Sequence, residues 1–182
     1  MEKITGAELD VEKAEPKHKD LLSGFSTSNK ELKDFLVEDA LKNQEAAIST
    51  TYLFFYKPER DLVAYMTLLS DSLRIRETEL EKVFAEKGIL YKGLPALKLG
   101  RLCVDENFVG LGVGTILTQT AMIIATRMIN PIVGCRFLIL DAKKNSIEFY
   151  KKMGFKILRE DKAGTTPMYF DLIDMINSYR KR

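Results

Sequence analysis

The spacing of hydrophobic and polar residues in the first half of the chain predicts a helix followed by a β-hairpin. The helix is expected from Ser28 to about Gln44, because a Ser–x–x–Glu capping box with Ser28 as the cap precedes apolar residues at helical spacing. The hairpin is expected from two β-branched and aromatic strands, Ser49–Tyr56 and Leu62–Leu69, which flank a Pro–Glu–Arg–Asp turn. Residues Ile4–Val11 give a weaker signal for an earlier strand.

The second half of the chain predicts a charged helix and then the element order β-α-β-α-β-β. The predicted helices are Glu77–Lys87, Gly112–Met128 and Ser146–Met153, and they end at Gly88, at Asn130-Pro131 and at Gly154. The predicted strands are Ala96–Val104 with Pro95 at its entry, Arg136–Leu140, Phe155–Leu158 and Met168–Leu172. This alternation predicts a mixed α/β fold with helices on both faces of a central sheet.

Composition indicates one globular domain over residues 1–182. Hydrophobic residues make up 46% of the chain and charged residues 30%, and the net charge of +2 does not by itself indicate a nucleic-acid-binding protein. No segment has the apolar length of a membrane span or of a signal peptide, so we expect a cytoplasmic protein that binds no membrane. Cys103 and Cys135 belong to no CxxC pair or Cys/His cluster, so we expect no metal site.

A glycine-rich turn between a predicted strand and a predicted helix is the most informative stretch. It runs from Arg101 to Thr115 and contains Gly110, Gly112 and Gly114. Glycines let the backbone turn N–H groups toward an anion, and the helix start adds unpaired N–H groups and a positive dipole end. The turn therefore predicts a phosphate or pyrophosphate site, although the same spacing also fits an ordinary tight strand-to-helix connection.

Two common phosphate-binding motifs do not match this turn. A P-loop needs Gly-Lys-Ser/Thr at the helix start, and Gly114-Thr115-Ile116 has no lysine. A dinucleotide fingerprint needs a third glycine where this chain has isoleucine or threonine, and it normally follows the first strand of a domain.

Two motifs resemble the GNAT superfamily of N-acetyltransferases. Val109–Gly114 is similar to the family's pyrophosphate loop, Arg/Gln-x-x-Gly-x-Gly/Ala, with Val109 in place of the leading Arg or Gln. Ser146–Phe155 resembles the family's A-x-x-x-Y-x-x-x-G-F signature. The resemblance covers nearly the whole chain, and it implies a mixed, mostly antiparallel sheet with a splayed pair of strands and helices on both faces.

The resemblance implies acetyl-CoA as the cosubstrate. Backbone groups that pair with its pantetheine arm would come from Leu102, Cys103 and Val104. The pyrophosphate would lie on Val109, Gly110, Leu111, Gly112, Val113, Gly114 and Thr115. A further contact is expected from Asn145, since an asparagine often precedes the motif tyrosine in this family.

Tyr150 is the predicted catalytic residue. A phenol with a pKa of about 10 stays protonated at neutral pH and can donate a hydrogen bond to a thiolate whose pKa is about 8.5. Full proton transfer would be uphill by about 2 kcal/mol, so Tyr150 is expected to stabilise the thiolate more than it protonates it. Residue type alone favours a core position for Tyr150 beside Phe149 and Phe155, and the surrounding motif reverses this preference.

Arg101 has two open interpretations. It is expected either to contact the acceptor, and with it RNA phosphate, or to pair with a neighbouring carboxylate. Asp105 and Glu106 lie close to the turn and are expected to be solvated, so no general base stands out.

The N-terminal half resembles the GNAT enzymes that act as toxins of toxin–antitoxin pairs. The similar stretches are Asn29–Leu36, Ser49–Tyr52, Leu62–Leu68 and Arg101–Val104. Such toxins acetylate the amino group of aminoacyl-tRNA, so the resemblance implies charged tRNA as the acceptor and an antitoxin as a partner, and it is compatible with a homodimer. Two other interpretations stay open: a GNAT enzyme that acetylates a small-molecule or protein amine, and a non-catalytic GNAT-like domain that binds coenzyme A.

Overall fold

The structure is a computed structural model that describes residues 2–129, 132–159 and 164–181. Within these residues the strands form a seven-stranded sheet in the order β1-β2-β3-β4-β5-β7-β6. The strands are β1 Leu9–Lys13, β2 Thr50–Tyr56, β3 Asp61–Arg74, β4 Gly93–Val104, β5 Phe137–Lys143, β6 Lys156–Ile157 and β7 Thr165–Asp171. The α-helices are α1 Lys19–Gly24, α2 Lys30–Asp34, α3 Ala40–Glu45, α4 Glu79–Ala85, α5 Val113–Ile129, α6 Ile147–Lys152 and α7 Ile173–Arg180.

The sheet is mixed, as the sequence predicts. Strands β1, β2 and β3 pair antiparallel in succession, and β7 pairs antiparallel with both β5 and β6. Strands β4 and β5 pair in parallel, and their ladder covers only Ala96–Lys98 and Phe137–Ile139. The mixed α/β fold class is therefore confirmed. No helix in the described part of the chain is long and apolar enough to cross a membrane.

The first of two compact units contains residues 1–69 and 99–120. Its core lies where α1 to α3 pack on β2, β3 and β4, because these elements bury their apolar faces against one another. A π-helical turn over Phe35–Asp39 joins α2 to α3 and turns Phe35 and Leu36 inward. The buried core residues are Ala14, Leu22, Phe25, Phe35, Leu36, Ala40, Leu53, Phe55, Tyr65 and Cys103.

The second unit contains residues 70–98 and 121–182. Its core packs α4 against β3, β4 and β5, with Phe84 meeting Phe137 edge to face at 6.1 Å between ring centroids. Arg136 lies 4.8 Å above the Phe84 ring and forms a bidentate ion pair with Asp171 at 3.0 and 2.8 Å. These contacts tie the start of β5 to the end of β7.

Several boundaries differ from the prediction for local reasons. The cap of α2 is Asn29 rather than Ser28, because the Asn29 Oδ1 accepts from the Leu32 N–H at 3.2 Å. Pro95 lies inside β4 rather than at its entry, and its carbonyl accepts from the Arg136 N–H at 3.1 Å. Short helices α1 and α7 were not predicted. The predicted helix stop at Asn130-Pro131 lies outside the described residues.

Candidate active site

The glycine turn of the first unit has the backbone geometry that an anion-binding loop needs. Gly110 and Gly112 have φ angles of +85° and +86°, a region that residues with a Cβ rarely adopt. At Gly110 an added Cβ would meet no atom within 4 Å, so backbone conformation rather than space demands glycine there. The Ile4 N–H donates to the Leu111 carbonyl at 2.9 Å and holds the turn from outside.

The start of α5 directs free N–H groups out of this turn. The N–H groups of Thr115 and Ile116 both donate to the Gly112 carbonyl, at 3.0 and 3.3 Å. Those of Val113 and Gly114 donate to no carbonyl in the part of the chain that the structure describes. The Val113 side chain is buried and anchors the helix start, while Val109 is 66% exposed beside the turn. The turn therefore offers backbone donors and the positive end of a 17-residue helix to an anion.

The strand that leads into the turn alternates between the core and the surface. Cys103 is buried, and its Sγ lies 3.5 Å from the Thr27 Oγ1. Leu102 and Val104 are half-buried. Cys103 is thus a core residue of β4.

Arg101 lies on an aromatic face instead of pairing with a carboxylate. Its guanidinium carbon is 4.5 Å from the centroid of the Phe35 ring, and its Nη1 donates to the Gly100 carbonyl at 3.2 Å. Its Nε is enclosed without a hydrogen-bond acceptor, and no carboxylate in the described residues forms an ion pair with it. Among the described residues, the structure therefore does not support the interpretation in which Arg101 pairs with a neighbouring carboxylate. A buried donor without an acceptor leaves hydrogen-bonding capacity for a bound group.

The Phe35 ring in turn packs against the Tyr65 ring. It stacks on Tyr65 with 6.4 Å between centroids, and the Tyr65 hydroxyl donates to the Leu32 carbonyl at 2.7 Å. Burial raises the pKa of Tyr65 far above its ordinary value, so the phenol stays neutral. Sequence reasoning missed Phe35 and Tyr65 as supports of Arg101.

Asp105 is structural, and it is buried rather than solvated as expected. One carboxylate oxygen accepts from the Ser26 N–H at 2.7 Å, and the other accepts from the Asn107 N–H and side-chain amide at 3.0 Å. With only 6% exposure and these donors, the carboxylate fixes the end of β4 against the preceding loop. Its hydrogen bonds are already used, so it is not available as a general base. Glu106 is exposed.

In the second unit, the end of α6 fixes the position of Tyr150. Gly154 has a φ of +89°, and its N–H donates to the Lys151 carbonyl at 2.9 Å. The Phe155 N–H donates to the Tyr150 carbonyl at 3.0 Å. These two bonds form a Schellman motif, and the usual apolar contact joins Phe155 to Tyr150 at 5.6 Å between ring centroids. The Y-x-x-x-G-F spacing therefore has a physical cause.

The Tyr150 ring is buried, and its hydroxyl is not engaged by the described part of the chain. The residue is 9% exposed and meets the Phe149 ring edge to face at 5.0 Å. Its hydroxyl makes no hydrogen bond to any residue that the structure describes. Burial raises the pKa of Tyr150 to about 12. The group is therefore a neutral hydrogen-bond donor throughout the physiological range.

Asn145 lies in a 3₁₀ turn between β5 and α6 and is exposed. Its Oδ1 accepts from the Ser146 hydroxyl at 3.3 Å. Its side chain is open to solvent, so a ligand can reach it.

Lys98, also in the second unit, forms ion pairs with two carboxylates. Its Nζ lies 2.7 Å from the Asp141 Oδ2 and 3.6 Å from the Asp71 Oδ2, at the edge of a cavity of about 300 Å³. Burial lowers the pKa of Lys98, but the two carboxylates outweigh it and the net effect is a raised pKa. Lys98 therefore stays a cation and is no candidate base. Across the described residues, no cluster of three His, Cys, Asp or Glu side chains is arranged to hold a metal ion.

Comparisons with known proteins agree with this architecture. Residues 73–157 match the acetyltransferase (GNAT) domain family. No curated protein sequence matches the chain at a significant level. Among solved structures, AtaT complexed with acetyl-methionyl-tRNAfMet has a TM-score of 0.80 at 23% identity and covers 94% of this chain and 99% of that one. A tyrosine-to-phenylalanine mutant of KacT has a TM-score of 0.78 at 21% identity over 94% and 99% of the two chains.

A third structure, AtaTR bound with AcCoA, has a TM-score of 0.73 at 23% identity and covers 95% of this chain and 99% of that one. At these identities the likeness establishes the fold alone. The match to the acetyltransferase (GNAT) domain family therefore covers residues 73–157, a little under half of the chain, and the chain as a whole shares the fold of AtaT and KacT.

Proposed function

We propose that this acetyltransferase transfers an acetyl group from acetyl-CoA to the amino group of aminoacyl-tRNA, as the toxin of a toxin–antitoxin pair. The observation that carries the proposal is the combination of a glycine turn suited to an anion with a buried, neutral Tyr150 whose hydroxyl has no hydrogen-bond partner among the described residues. AtaT, which has the same fold, is known in complex with acetyl-methionyl-tRNAfMet and with the C-terminus of the antitoxin AtaR.

The glycine turn fits the pyrophosphate of acetyl-CoA. Val109 to Thr115 present backbone rather than side-chain donors, and the N–H groups of Val113 and Gly114 have no other acceptor in the described residues. The missing Arg or Gln at Val109 removes one side-chain contact and leaves the backbone donors in place. The turn is therefore the proposed phosphate site, and the backbone of Leu102, Cys103 and Val104 is the proposed site of the pantetheine arm.

Tyr150 is proposed to donate a hydrogen bond to the sulfur of the leaving group. When bound, acetyl-CoA supplies an activated acyl group, and the amine attacks its carbonyl carbon as the carbon–sulfur bond breaks. With a pKa of about 12, Tyr150 lies roughly 3.5 units above a thiol, so complete proton transfer would be uphill by about 5 kcal/mol. The phenol therefore stabilises the thiolate without giving up its proton, and solvent takes the proton of the amine.

Arg101 is proposed to bind the acceptor. Its guanidinium is supported on Phe35 and forms no ion pair with a described carboxylate, so the planar cation can bind a carbonyl or phosphate oxygen. Asn145, exposed before α6, is proposed as a further contact for the cosubstrate.

The proposal is tested by cell-free translation with the purified protein, with and without acetyl-CoA. The matched pair of variants is Tyr150→Phe and Tyr179→Phe, because Tyr179 is 51% exposed and has no proposed role. We expect inhibition that requires acetyl-CoA and is lost only with Tyr150→Phe, together with an acetylated aminoacyl group in recovered tRNA. Acetyl-CoA binding without inhibition would contradict the tRNA acceptor and direct the search to small amines and protein lysines.

A further inference from the structure

The two units differ strongly in charge, although the whole chain is nearly balanced at +2. The first unit contains 10 Lys and Arg against 15 Asp and Glu, a net charge of −5. The second contains 18 Lys and Arg against 11 Asp and Glu, a net charge of +7. The modest total therefore conceals a basic half of the molecule.

Within the second unit, the positive charge is concentrated in residues 143–159, here called the basic segment. It contains six cationic residues and a single carboxylate, Glu148. Every one of the six is exposed: Lys143, Lys144, Lys151, Lys152, Lys156 and Arg159. The basic segment therefore has a net charge of +5 over 17 residues, compared with +2 for all 182 residues.

Three of these lysines are not paired with a carboxylate among the residues that the structure describes. Lys151 pairs with Glu148 at 2.8 Å. Lys144, Lys152 and Lys156 have no carboxylate at ion-pair distance in the residues that the structure describes. Two of these lysines also have a structural explanation, since Lys152 lies at the negative end of the α6 dipole and Lys156 lies on an edge strand. Neither explanation applies to Lys144.

The basic segment also carries Tyr150. Helix α6 turns the Tyr150 ring into the core while Lys151 and Lys152, the next two residues, face solvent. A polyanion that lies along these lysines would pass within one helical turn of the proposed catalytic residue.

We propose that the basic segment is the surface on which the phosphodiester backbone of the acceptor RNA docks. This inference rests on the proposed function, because it assigns a surface to the RNA acceptor named there. Lysines that contact phosphates release condensed counterions, which makes affinity high at low salt and steeply salt-dependent. RNA is favoured over an acidic protein because the acceptor proposed for the reaction is itself a polyanion.

The test is binding of deacylated tRNA, followed by fluorescence anisotropy over a range of salt concentrations. This measurement needs no acetyl transfer, so it is independent of whether charged tRNA is the true acceptor. The variant is K144Q/K152Q/K156Q, and the matched control is K3Q/K13Q/K42Q, which removes three exposed lysines from the acidic unit. Acetyl-CoA binding by each protein checks that the fold is intact.

We expect the first variant to bind tRNA at least tenfold more weakly near 0.1 M salt, with a slope of log K against log salt that is shallower by about 2 to 3. The control should match the wild type. Equal effects of the two variants, or no loss in either, would overturn the proposal. Tighter binding of polyglutamate than of tRNA would overturn it in favour of an acidic protein partner. If tRNA binds but charged tRNA is not acetylated, the proposed function fails while the docking surface stands.

Discussion

The glycine turn at residues 109–115 and the end of helix α6, both proposed to contact acetyl-CoA, are built in opposite ways. The turn uses main-chain N–H groups, so its side chains are nearly irrelevant and Val109 can stand where the family has Arg or Gln. The helix end uses one side chain, Tyr150, whose position is fixed by Gly154 and Phe155. A site built from backbone tolerates substitution and is sensitive to φ angles. A site built from one side chain is instead sensitive to substitution of that residue.

The largest expected effect is that of Tyr150→Phe on turnover. A hydrogen bond to a charged group contributes about 1.5 to 3 kcal/mol, so its loss should lower kcat by roughly 10- to 150-fold. Binding of acetyl-CoA should not change, because the ring keeps its contacts with Phe149 and Phe155. Steady-state kinetics and isothermal titration calorimetry measure the two quantities. Unchanged kcat would remove Tyr150 from the chemistry.

Alkaline pH provides a second test of Tyr150. Because burial raises its pKa from about 10 to about 12, the neutral phenol stabilises the fold fully below pH 10, and this stabilisation is lost as pH rises toward 12. The difference is about 2 to 3 kcal/mol. Urea unfolding from pH 9 to 11.5 should therefore show a steeper loss of stability in the wild type than in Tyr150→Phe. Parallel curves would mean that the ring is more hydrated than the structure indicates.

The turn is tested by placing alanine at a positive φ angle. Gly110 and Gly88 have φ angles of +85° and +73°, and a Cβ at either would meet no atom within 4 Å. Gly110→Ala and Gly88→Ala should each destabilise the protein by about 1 to 2 kcal/mol, since both force an L-residue into the left-handed region. Only Gly110→Ala should also raise KM for acetyl-CoA. A raised KM in both variants would assign the effect to general destabilisation.

The smallest expected effect is a gain. Val109 is 66% exposed, so Val109→Arg adds a cation beside the turn without a clash. An exposed ion pair contributes about 0.2 to 1 kcal/mol, so KM for acetyl-CoA should fall by roughly 1.4- to fivefold at low salt and rise back to the wild-type value at high salt. Val109→Gln is the uncharged control. A salt-independent gain would point to packing instead of charge.

The sequence predicts the parts of this molecule that depend on local rules. The glycines at positive φ, the Gly154 stop after Tyr150 and the hairpin of β2 and β3 all follow from residues close together in the chain. Most strand and helix positions follow for the same reason, and the boundaries shift where a neighbour such as Asn29 makes the better cap.

Contacts between segments that are distant in the chain could not be predicted from the sequence. Phe35 lies under Arg101 because a π-helical turn directs it inward, and no periodicity signals such a turn. Asp105 is buried because the Ser26 N–H, 79 residues away in the chain, meets its carboxylate. The charge difference between the two units is in the sequence, but it becomes visible only when the structure shows which segments belong together.

The Schellman motif at the end of α6 also limits how this sequence can change over evolutionary time. The motif itself places no demand on the side chains of Lys151, Lys152 and Met153, because the two hydrogen bonds that close the helix join the Gly154 and Phe155 N–H groups to the Lys151 and Tyr150 carbonyls. The number of these three residues cannot vary. One inserted residue would rotate the tyrosine by about 100° around the helix axis and point its hydroxyl away from its present direction. The helix end therefore tolerates substitutions in this stretch but not insertions or deletions, so any selection on the two lysines must come from what they bind and not from the fold.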